Sequence, residues 1–596
     1  MAATIFGGMP FPSGKVIAGC ILYSYLTIFS TATMAALAEN FGVGSPKALA
    51  LGHAVTADPP GIDAIHFNPA GLTRLKGRQY MLKLIYPDIS MEATIHSPTN
   101  EVTATLPDGS EMGMFDFICG AGLNRSFRDP IFYDEVYGDD AAAQFAEDCA
   151  NGTPPPSVTS EAGPALYFPG IELQKVSSAA GPAGGASYNP PGSNLTFATM
   201  AYMREGNLMA RESDDPGRYE GEAMGMVRFT YLSPTVGIKL DEDWSIGAGL
   251  HLSWQGIAMK FPLRVAHIGL AIVGSFQNIL CDFGEDDSLT PKPGTEGISS
   301  VADICGGYFD PYTEAGYLEL EANDPFSASY FVGLLWEPTP WFSVGAVYTP
   351  EVRDTLEGDF TFEYSDNWAN LFQGMNNSGL FSSNVDNDLF GIPYGHKHEH
   401  GKAKAEFVTP AHFSAGLSIK LTPSLQFNMD AKWTDYDAWD VLPVSLTTKD
   451  PQGVDLLRFL GAVTPWATSE TLSIPFQFES VWNLAFGIRY FHNDNLELRF
   501  GYEPRKSSIP KHRYNLFAPF GEADLYGTGF SYRLKKGTYV DFALSYLKSE
   551  IVIPPNGSTL VNSTDPSELV INPYAGSLIE GKVEAWIAAL SFNGRF

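Results

Sequence analysis

Residues 244–258 read Trp-Ser-Ile-Gly-Ala-Gly-Leu-His-Leu-Ser-Trp-Gln-Gly-Ile-Ala. Every second residue of this stretch is apolar: Trp244, Ile246, Ala248, Leu250, Leu252 and Trp254. The residues between them are small or polar: Ser245, Gly247, Gly249, His251, Ser253 and Gln255. A period of two predicts a β-strand with one apolar and one polar face, and no helix produces it.

The same alternation recurs along most of the chain, for example from Leu425, Trp482, Leu496 and Val540. The 596 residues are 13% aromatic and only 18% charged, and mean hydropathy is −0.06. This composition excludes a polytopic helical membrane protein, and 44% apolar residues exclude a disordered chain. The net charge of −31 argues against nucleic acid as a partner, because phosphates need a basic surface.

A soluble β-sandwich or barrel is one interpretation of this pattern, and a transmembrane β-barrel is the other. Three features favour the membrane. Aromatic residues often end the apolar face, the other face is small and polar, and short turns alternate with long loops. Fourteen strands are expected, an even number, and the last ends in the alternating segment Trp586–Phe596. We therefore predict an all-β fold: a transmembrane antiparallel β-barrel of about 14 strands over residues 79–596.

Two places in this barrel are irregular. The second and third strands are expected at 163–176 and 192–206, although the connection between them is long for a periplasmic turn. In the fourth strand the apolar residues change from odd to even numbers across Pro234, which predicts a bulge or kink.

Residues 1–38 are expected to be a secretory signal peptide. Lys15 precedes fourteen uncharged residues, and Ala36-Leu37-Ala38 is a small-x-small cleavage site. The protein is therefore expected to be exported through a cleaved signal.

Residues 39–78 do not alternate and are expected to form a hatch that plugs the barrel. Ser45 and Pro46 suit a helix start, and Pro59-Pro60-Gly61 breaks a helix. A barrel of this width would leave an open channel unless something fills it. The apolar residues Ile62, Ile65, Phe67 and Leu72 are expected to line a hydrophobic pocket. The alternative is a periplasmic tail.

Four cysteines remain after signal cleavage, and their spacing favours the disulfides Cys119–Cys149 and Cys281–Cys305. A zinc site is the rival interpretation, but no CxxC spacing exists. The histidines His396, His398 and His400 alternate, and continuing the strand through His412 points them inward at the outer mouth. A metal site there is possible, and a solvated polar rim is the simpler expectation. No cofactor is expected.

The hatch segment also carries a family resemblance. Residues 57–72, which contain Asn68-Pro69-Ala70, resemble the hatch of FadL/TodX-type outer-membrane transporters, where an Asn-Pro-Ala signature ends the plug. Further stretches are similar to that family: 348–353, 356–360, 504–513, 527–532 and the last strand. The loops depart from the family, because they are longer and carry the four cysteines.

The resemblance implies an outer-membrane barrel of fourteen strands with a gating hatch at Asn68, Pro69 and Ala70. It implies passive, ligand-gated passage of long-chain fatty acids, alkanes or aromatics, delivered sideways into the membrane through a gap at a kinked strand. The expected partners are these hydrophobic molecules, outer-membrane lipid and the barrel assembly machinery, and a monomer is expected. The alternatives are a hydrophilic porin and an exporter or adhesin barrel. No GxSxG or HExxH motif supports an enzyme.

Overall fold

The structure is a computed structural model of the whole chain. The residues that it describes are 40–100, 103–105, 111–113, 151, 157–178, 180–265, 277, 280–283, 289–293, 305–307, 314–377, 392–450, 453–463, 467–517, 519–535, 537–563 and 574–595. The expected signal peptide, Cys119, Cys149 and the terminal Phe596 lie outside these residues.

The described residues form a closed antiparallel barrel of fourteen strands. The strands are β1 Gly77–Ile95, β2 Val158–Ala162 with Gly181–Asn189, β3 Leu195–Ala210, β4 Ala223–Leu232 with Thr235–Lys239, β5 Trp244–Arg264, β6 Glu314–Thr339, β7 Phe342–Thr349 with Val352–Tyr364, β8 His398–Thr409 with His412–Thr422, β9 Leu425–Thr434 with Val441–Thr448, β10 Thr471–Pro475 with Val481–Phe491, β11 Leu496–Arg505, β12 Ala523–Lys535, β13 Thr538–Ile553 and β14 Ile579–Arg595. Pairing of β1 with β14, from Gln79 with Arg595 to Ile95 with Ile579, closes the ring.

The predicted barrel is confirmed, but its second strand was placed wrongly. The expected strand at 163–176 is a separate β-hairpin, Ala165–Phe168 with Ile171–Lys175, which we call the side hairpin. The turn lies at Pro169-Gly170, where Gly170 has a φ of +77°. Because Pro-Gly reverses the chain, the alternating residues before and after it pair with each other. The glycine-rich segment Gly181–Asn189 supplies the wall instead.

In the periplasmic half of the barrel, the apolar face of the strands points away from the lumen. On β5, Leu250 is 48% exposed while its neighbour His251 is 2% exposed. A soluble sandwich would reverse this pattern, because its apolar faces would meet in a core. The exposed apolar surface is what a lipid-facing wall requires.

Two rows of aromatic side chains border this surface. Near the long loops, Tyr502, Tyr526, Tyr546 and Trp586 pair across four consecutive strands. Trp244 stacks on Trp336 near the short turns, with ring centroids 5.6 Å apart. Aromatic girdles mark the two membrane interfaces, and short turns face the periplasm in such barrels.

The inner face of the wall changes character along the barrel. Near the short turns the inward residues of β5 are Ser245, Gly247, His251 and Ser253, and near the long loops they are Ile257, Met259, Phe261 and Leu263. The extracellular half of the barrel therefore encloses an apolar core, into which two helices pack, Asp366–Asn377 and Asp455–Val463. In the described residues, no helix has the length and apolar character that a membrane span needs.

Candidate ligand chamber and hatch

The hatch is a series of short helices buried inside the barrel: Pro46–Ala50, Gly61–Asp63, Ala64–Phe67 and Pro69–Arg74. Ser45 caps the first helix by accepting a bond from the Ala48 amide at 3.5 Å, and Pro46 follows it. This helix packs against β12 and β13, and Pro69–Arg74 packs against β4, β5 and β6. Leu49, Leu51, Ile65 and Leu72 are fully buried.

Glycines on the inner wall let the hatch backbone come close. A Cβ added at Gly247 would lie 2.3 Å from the Pro69 carbonyl carbon, and one at Gly345 would lie 2.2 Å from the Thr56 oxygen. The facing pair Gly52 and Gly501 is equally tight, because a Cβ on Gly501 would lie 2.1 Å from the Gly52 nitrogen. Small residues on the polar face of the strands therefore make room for a fitted plug.

Asn68 joins the hatch to itself and to the wall. Its Oδ1 accepts from the Ala70 amide at 3.1 Å and caps the helix that begins at Pro69. Its Nδ2 donates to the Thr56 carbonyl at 2.9 Å and to the Leu334 carbonyl of β6 at 3.0 Å. Asn68 is fully buried, and so is Ala70.

Asp58 is the centre of a charged cluster at the periplasmic end of the hatch. Its carboxylate contacts Lys47 at 2.9 Å, Arg74 at 3.2 Å and Arg489 of β10 at 2.6 Å. Gln426 of β9 also donates to it at 3.0 Å. Since one carboxylate holds hatch and wall together, the cluster is suited to act as a latch.

A chamber of about 80 Å³ lies between the hatch and the wall. Aromatic and basic side chains line it together: Phe67, Tyr436, Trp439, Arg204, Lys432, His53, His66, His251 and His412. Glu205 is the one carboxylate among its lining residues. The lining thus carries two permanent cations and one anion, in a chain whose net charge is −31.

A buried cluster around Glu503 of β11 supports the basic side of the chamber. Glu503 ion-pairs with Lys432, accepts from His53 Nδ1 at 2.8 Å and accepts from Arg505 at 2.8 Å. The Nε2 of His53 is buried without a hydrogen-bond partner among the described residues. With Glu503 neutralised by two cations, the cluster retains positive charge and one unused polar nitrogen beside the chamber.

Of the four residues expected to line a hydrophobic pocket, only Phe67 lines the chamber. Ile62, Ile65 and Leu72 pack between hatch and wall, in one cluster with residues such as Met200 and Phe331. The sequence predicted apolar hatch residues, but it could not distinguish those that face a cavity from those that pack against the wall.

The predicted inward orientation of the alternating histidines is wrong. His398 and His400 are exposed on the outer face of β8, whereas Ala403, Ala405 and Phe407 are buried. Pro410-Ala411 separates the two segments of β8 and reverses the alternation before His412, which does line the chamber. Of the three histidines, only His396 lies in a possible metal-binding cluster, with Glu399 and Asp455.

Cys281 and Cys305 form a disulfide with Cα atoms 5.8 Å apart. The other expected pair falls outside the described residues.

The barrel wall is interrupted between β1 and β3. β1 pairs with β2 up to Ile85 and again from Met91, and residues 86–90 have no partner there. The first residues of the hatch lie beside this gap in the wall. A Cβ on Gly44 would lie 3.0 Å from Ile85, and one on Gly42 would lie 2.7 Å from the Met203 oxygen of β3.

These features define a class: an outer-membrane β-barrel with an internal hatch. The family model of outer membrane protein transport proteins (OMPP1/FadL/TodX) matches residues 24–596. The chain belongs to this family, and the predicted resemblance is confirmed. It is therefore an outer-membrane transport protein.

Solved structures share the fold. A Pseudomonas aeruginosa FadL homologue superimposes with a TM-score of 0.57 at 15% identity, covering 93% of this chain and 98% of that one. The Ralstonia pickettii toluene transporter TbuX gives 0.52 at 14% identity, covering 94% and 99%. The Pseudomonas putida toluene transporter TodX gives 0.52 at 13%, covering 93% and 98%. Comparison with curated proteins finds no significant sequence match.

Proposed function

We propose that the protein is a passive, ligand-gated channel for hydrophobic compounds with an acidic head, above all long-chain fatty acids, and that it delivers them sideways into the membrane. It works as a monomer in outer-membrane lipid after insertion by the barrel assembly machinery. The observation that carries the proposal is the chamber above the hatch, where aromatic rings and a positive charge balance lie together.

The apolar extracellular half supports entry of a hydrophobic tail. A smaller cavity of about 20 Å³ there is lined by Met224, Met226, Met259, Phe407 and other apolar residues. Methionine side chains adapt to irregular shapes. Transfer of apolar surface out of water favours binding by about 25 cal/mol per Å².

The chamber itself supports recognition of a charged head. Lys432 and Arg204 provide charge-assisted donors, and these bind carboxylates more strongly than neutral donors do. Several structural neighbours are toluene transporters or a monoaromatic hydrocarbon channel, according to their descriptions. An aromatic hydrocarbon has no charged acceptor for Lys432 to hydrogen-bond, so we favour a carboxylate ligand for this chain.

The interrupted wall supports a sideways exit. Residues 86–90 of β1 pair with β14 on one side but have no partner on the β2 side, and Gly42 and Gly44 of the hatch lie at that level. A small shift of this first hatch segment would connect the chamber side to the bilayer. Ligand binding would favour the shifted state only as far as it binds that state more tightly.

Binding and uptake by a Lys432→Met variant test the proposal. The expected result is that affinity for a long-chain fatty acid falls about tenfold or more, while affinity for its methyl ester does not change. Lys402→Met is the matched control, since Lys402 is exposed on the outer face of β8 and pairs with Asp359. An equal loss for acid and ester, or no loss in Lys432→Met, would contradict recognition of the acidic head.

A further inference from the structure

A second cavity lies on the lipid-facing side of the wall, where β2, β3, β4 and β5 adjoin. This crevice of about 660 Å³ is open toward the bilayer. Its residues are Arg78, Ala186, Ser187, Tyr188, Phe197, Ala198, Thr199, Leu232, Pro234, Thr235, Val236 and Ala248. Arg78, Tyr188, Phe197, Val236 and Ala248 pair one after another across the strands, so they share one face.

The crevice arises from the kink in β4. Ser233-Pro234 separates the two segments of this strand, and the Ser233 hydroxyl and amide bond to Met200 and Thr199 of β3 instead of a regular ladder. Beside the kink the outward residues Ala186, Thr199 and Ala248 are small. The larger side chains of Tyr188, Phe197 and Leu232 project outward around them and are 40%, 49% and 43% exposed. The result is a trough bounded by large apolar side chains.

The wall beneath the trough is closed. β2 pairs with β3 from Gly184–Tyr188, and β3 pairs with the second segment of β4. The hatch backs this part of the wall, because a Cβ on Gly237 would lie 2.9 Å from Leu72. The crevice shares no lining residue with the chamber. An occupant therefore enters from the bilayer rather than from the lumen.

One end of the trough is cationic. Arg78 is the second residue of β1, near the periplasmic short turns, and its guanidinium lies 5.4 Å from the Tyr188 ring centroid. Within the described part of the chain, no carboxylate pairs with Arg78, unlike Arg74, which contacts Asp58 and Glu337. An apolar trough that ends in an unpaired cation at the interface complements an acyl chain with an anionic head.

We propose that this crevice binds one anionic glycerophospholipid of the periplasmic leaflet. One acyl chain lies along Phe197, Leu232 and Pro234, and the phosphate lies at Arg78. The lipid fills the hollow that the kink leaves in the wall, so that the kinked strand has a specific partner on its membrane side.

Native mass spectrometry of the delipidated full-length protein, titrated with phosphatidylglycerol, tests this site. We expect one tightly retained lipid in the wild type. Arg78→Ala removes the phosphate contact, and Ala248→Phe fills the trough from an outward, lipid-facing position. Each should lower occupancy about fivefold or more. The control is Arg533→Ala, because Arg533 is an exposed arginine at the same end of β12 but outside the crevice.

Two results would overturn the proposal. One is equal loss of lipid in Arg533→Ala, which would mean that any interfacial arginine attracts the lipid. The other is unchanged lipid binding in both Arg78→Ala and Ala248→Phe. Fatty-acid uptake separates the crevice from the transport path: we expect Arg78→Ala to retain uptake, and loss of uptake with lipid binding intact would assign the crevice to the transported ligand.

Discussion

The carboxylate of Asp58 in the hatch lies 2.6 Å from the guanidinium of Arg489 in the barrel wall. Lys47 and Arg74, both from the hatch, share the same carboxylate. Removing one partner from a buried charged group costs about 3–5 kcal/mol, because the remaining charges stay buried without compensation. Asp58 is therefore expected to contribute strongly to holding the hatch in position.

Asp58→Asn should loosen the hatch without unfolding the barrel. The expected result is frequent opening events in planar bilayers, with unchanged heat-modifiable migration on a denaturing gel. Asp541→Asn is the matched control, because Asp541 pairs with Arg499 within the wall and does not touch the hatch. If Asp58→Asn shows no opening events, or if both variants open equally often, the cluster does not act as a latch.

Deletion of residues 45–72 should convert the protein into a nonselective pore. The deleted segment fills the periplasmic half of the lumen, and the remaining inner wall is rich in glycine, serine and charged residues. We expect raised single-channel conductance and loss of saturable fatty-acid uptake in the same preparation. If conductance and uptake both stay at the wild-type level, the segment does not gate transport.

Asn68→Asp tests the hydrogen bonds that fix the hatch. The variant retains an oxygen that can cap the Ala70 amide, but it loses the donor to the Thr56 and Leu334 carbonyls. A buried acceptor left without its donor, such as the Thr56 carbonyl, costs about 1–3 kcal/mol. Uptake should fall while barrel assembly stays intact. In the double variant Asn68→Ala with Pro69→Ala, uptake should fall further. Wild-type uptake in both variants would show that Asn68 has no part in gating.

The barrel could be predicted from the sequence because lipid imposes period two on every spanning strand. Local exceptions were harder. The segment 181–189, Gly-Pro-Ala-Gly-Gly-Ala-Ser-Tyr-Asn, has the composition of a loop, yet it pairs along β1. Its glycines have a structural reason that one strand cannot reveal, because a Cβ on Gly185 would lie 2.9 Å from Ile62 of the hatch.

The site was less predictable, because its groups come from distant parts of the chain. Asp58 and Arg489 are 431 residues apart, and His53 and Glu503 are 450 apart. The only signal in the sequence is an ionisable residue on the inward face of a strand, such as Lys432 in the alternation that begins at Leu425. Such residues are costly at membrane depth and mark functional interiors.

The extracellular disulfides can be checked by peptide mapping without reduction. We expect Cys281 linked to Cys305, as in the structure, and Cys119 linked to Cys149. Cys281 and Cys305 are 24 residues apart in the sequence, so removing their disulfide should cost about 3 kcal/mol of local stability. Cys281→Ser with Cys305→Ser should therefore be cut faster by protease in this loop, while the barrel stays resistant. Crossed pairs would show that the expected loop arrangement is wrong.

Acidity should tighten the extracellular loop that carries Glu220. Burial raises the pKa of Glu220 to about 8, against the pull of the nearby Arg211. The closed loop therefore retains the proton that an open loop releases above about pH 5. Between about pH 5 and pH 8 opening becomes more favourable as pH rises, since only the open loop loses the proton there.

Hydrogen exchange of residues 211–222, corrected for the intrinsic pH dependence of exchange, measures this opening. The opening free energy should fall with pH in the wild type and stay level in Glu220→Gln, whose amide cannot ionise. Asp214→Asn, a change at an exposed neighbouring acid, should keep the wild-type slope. A level wild-type profile, or a slope that survives in Glu220→Gln, would show that another group governs this loop.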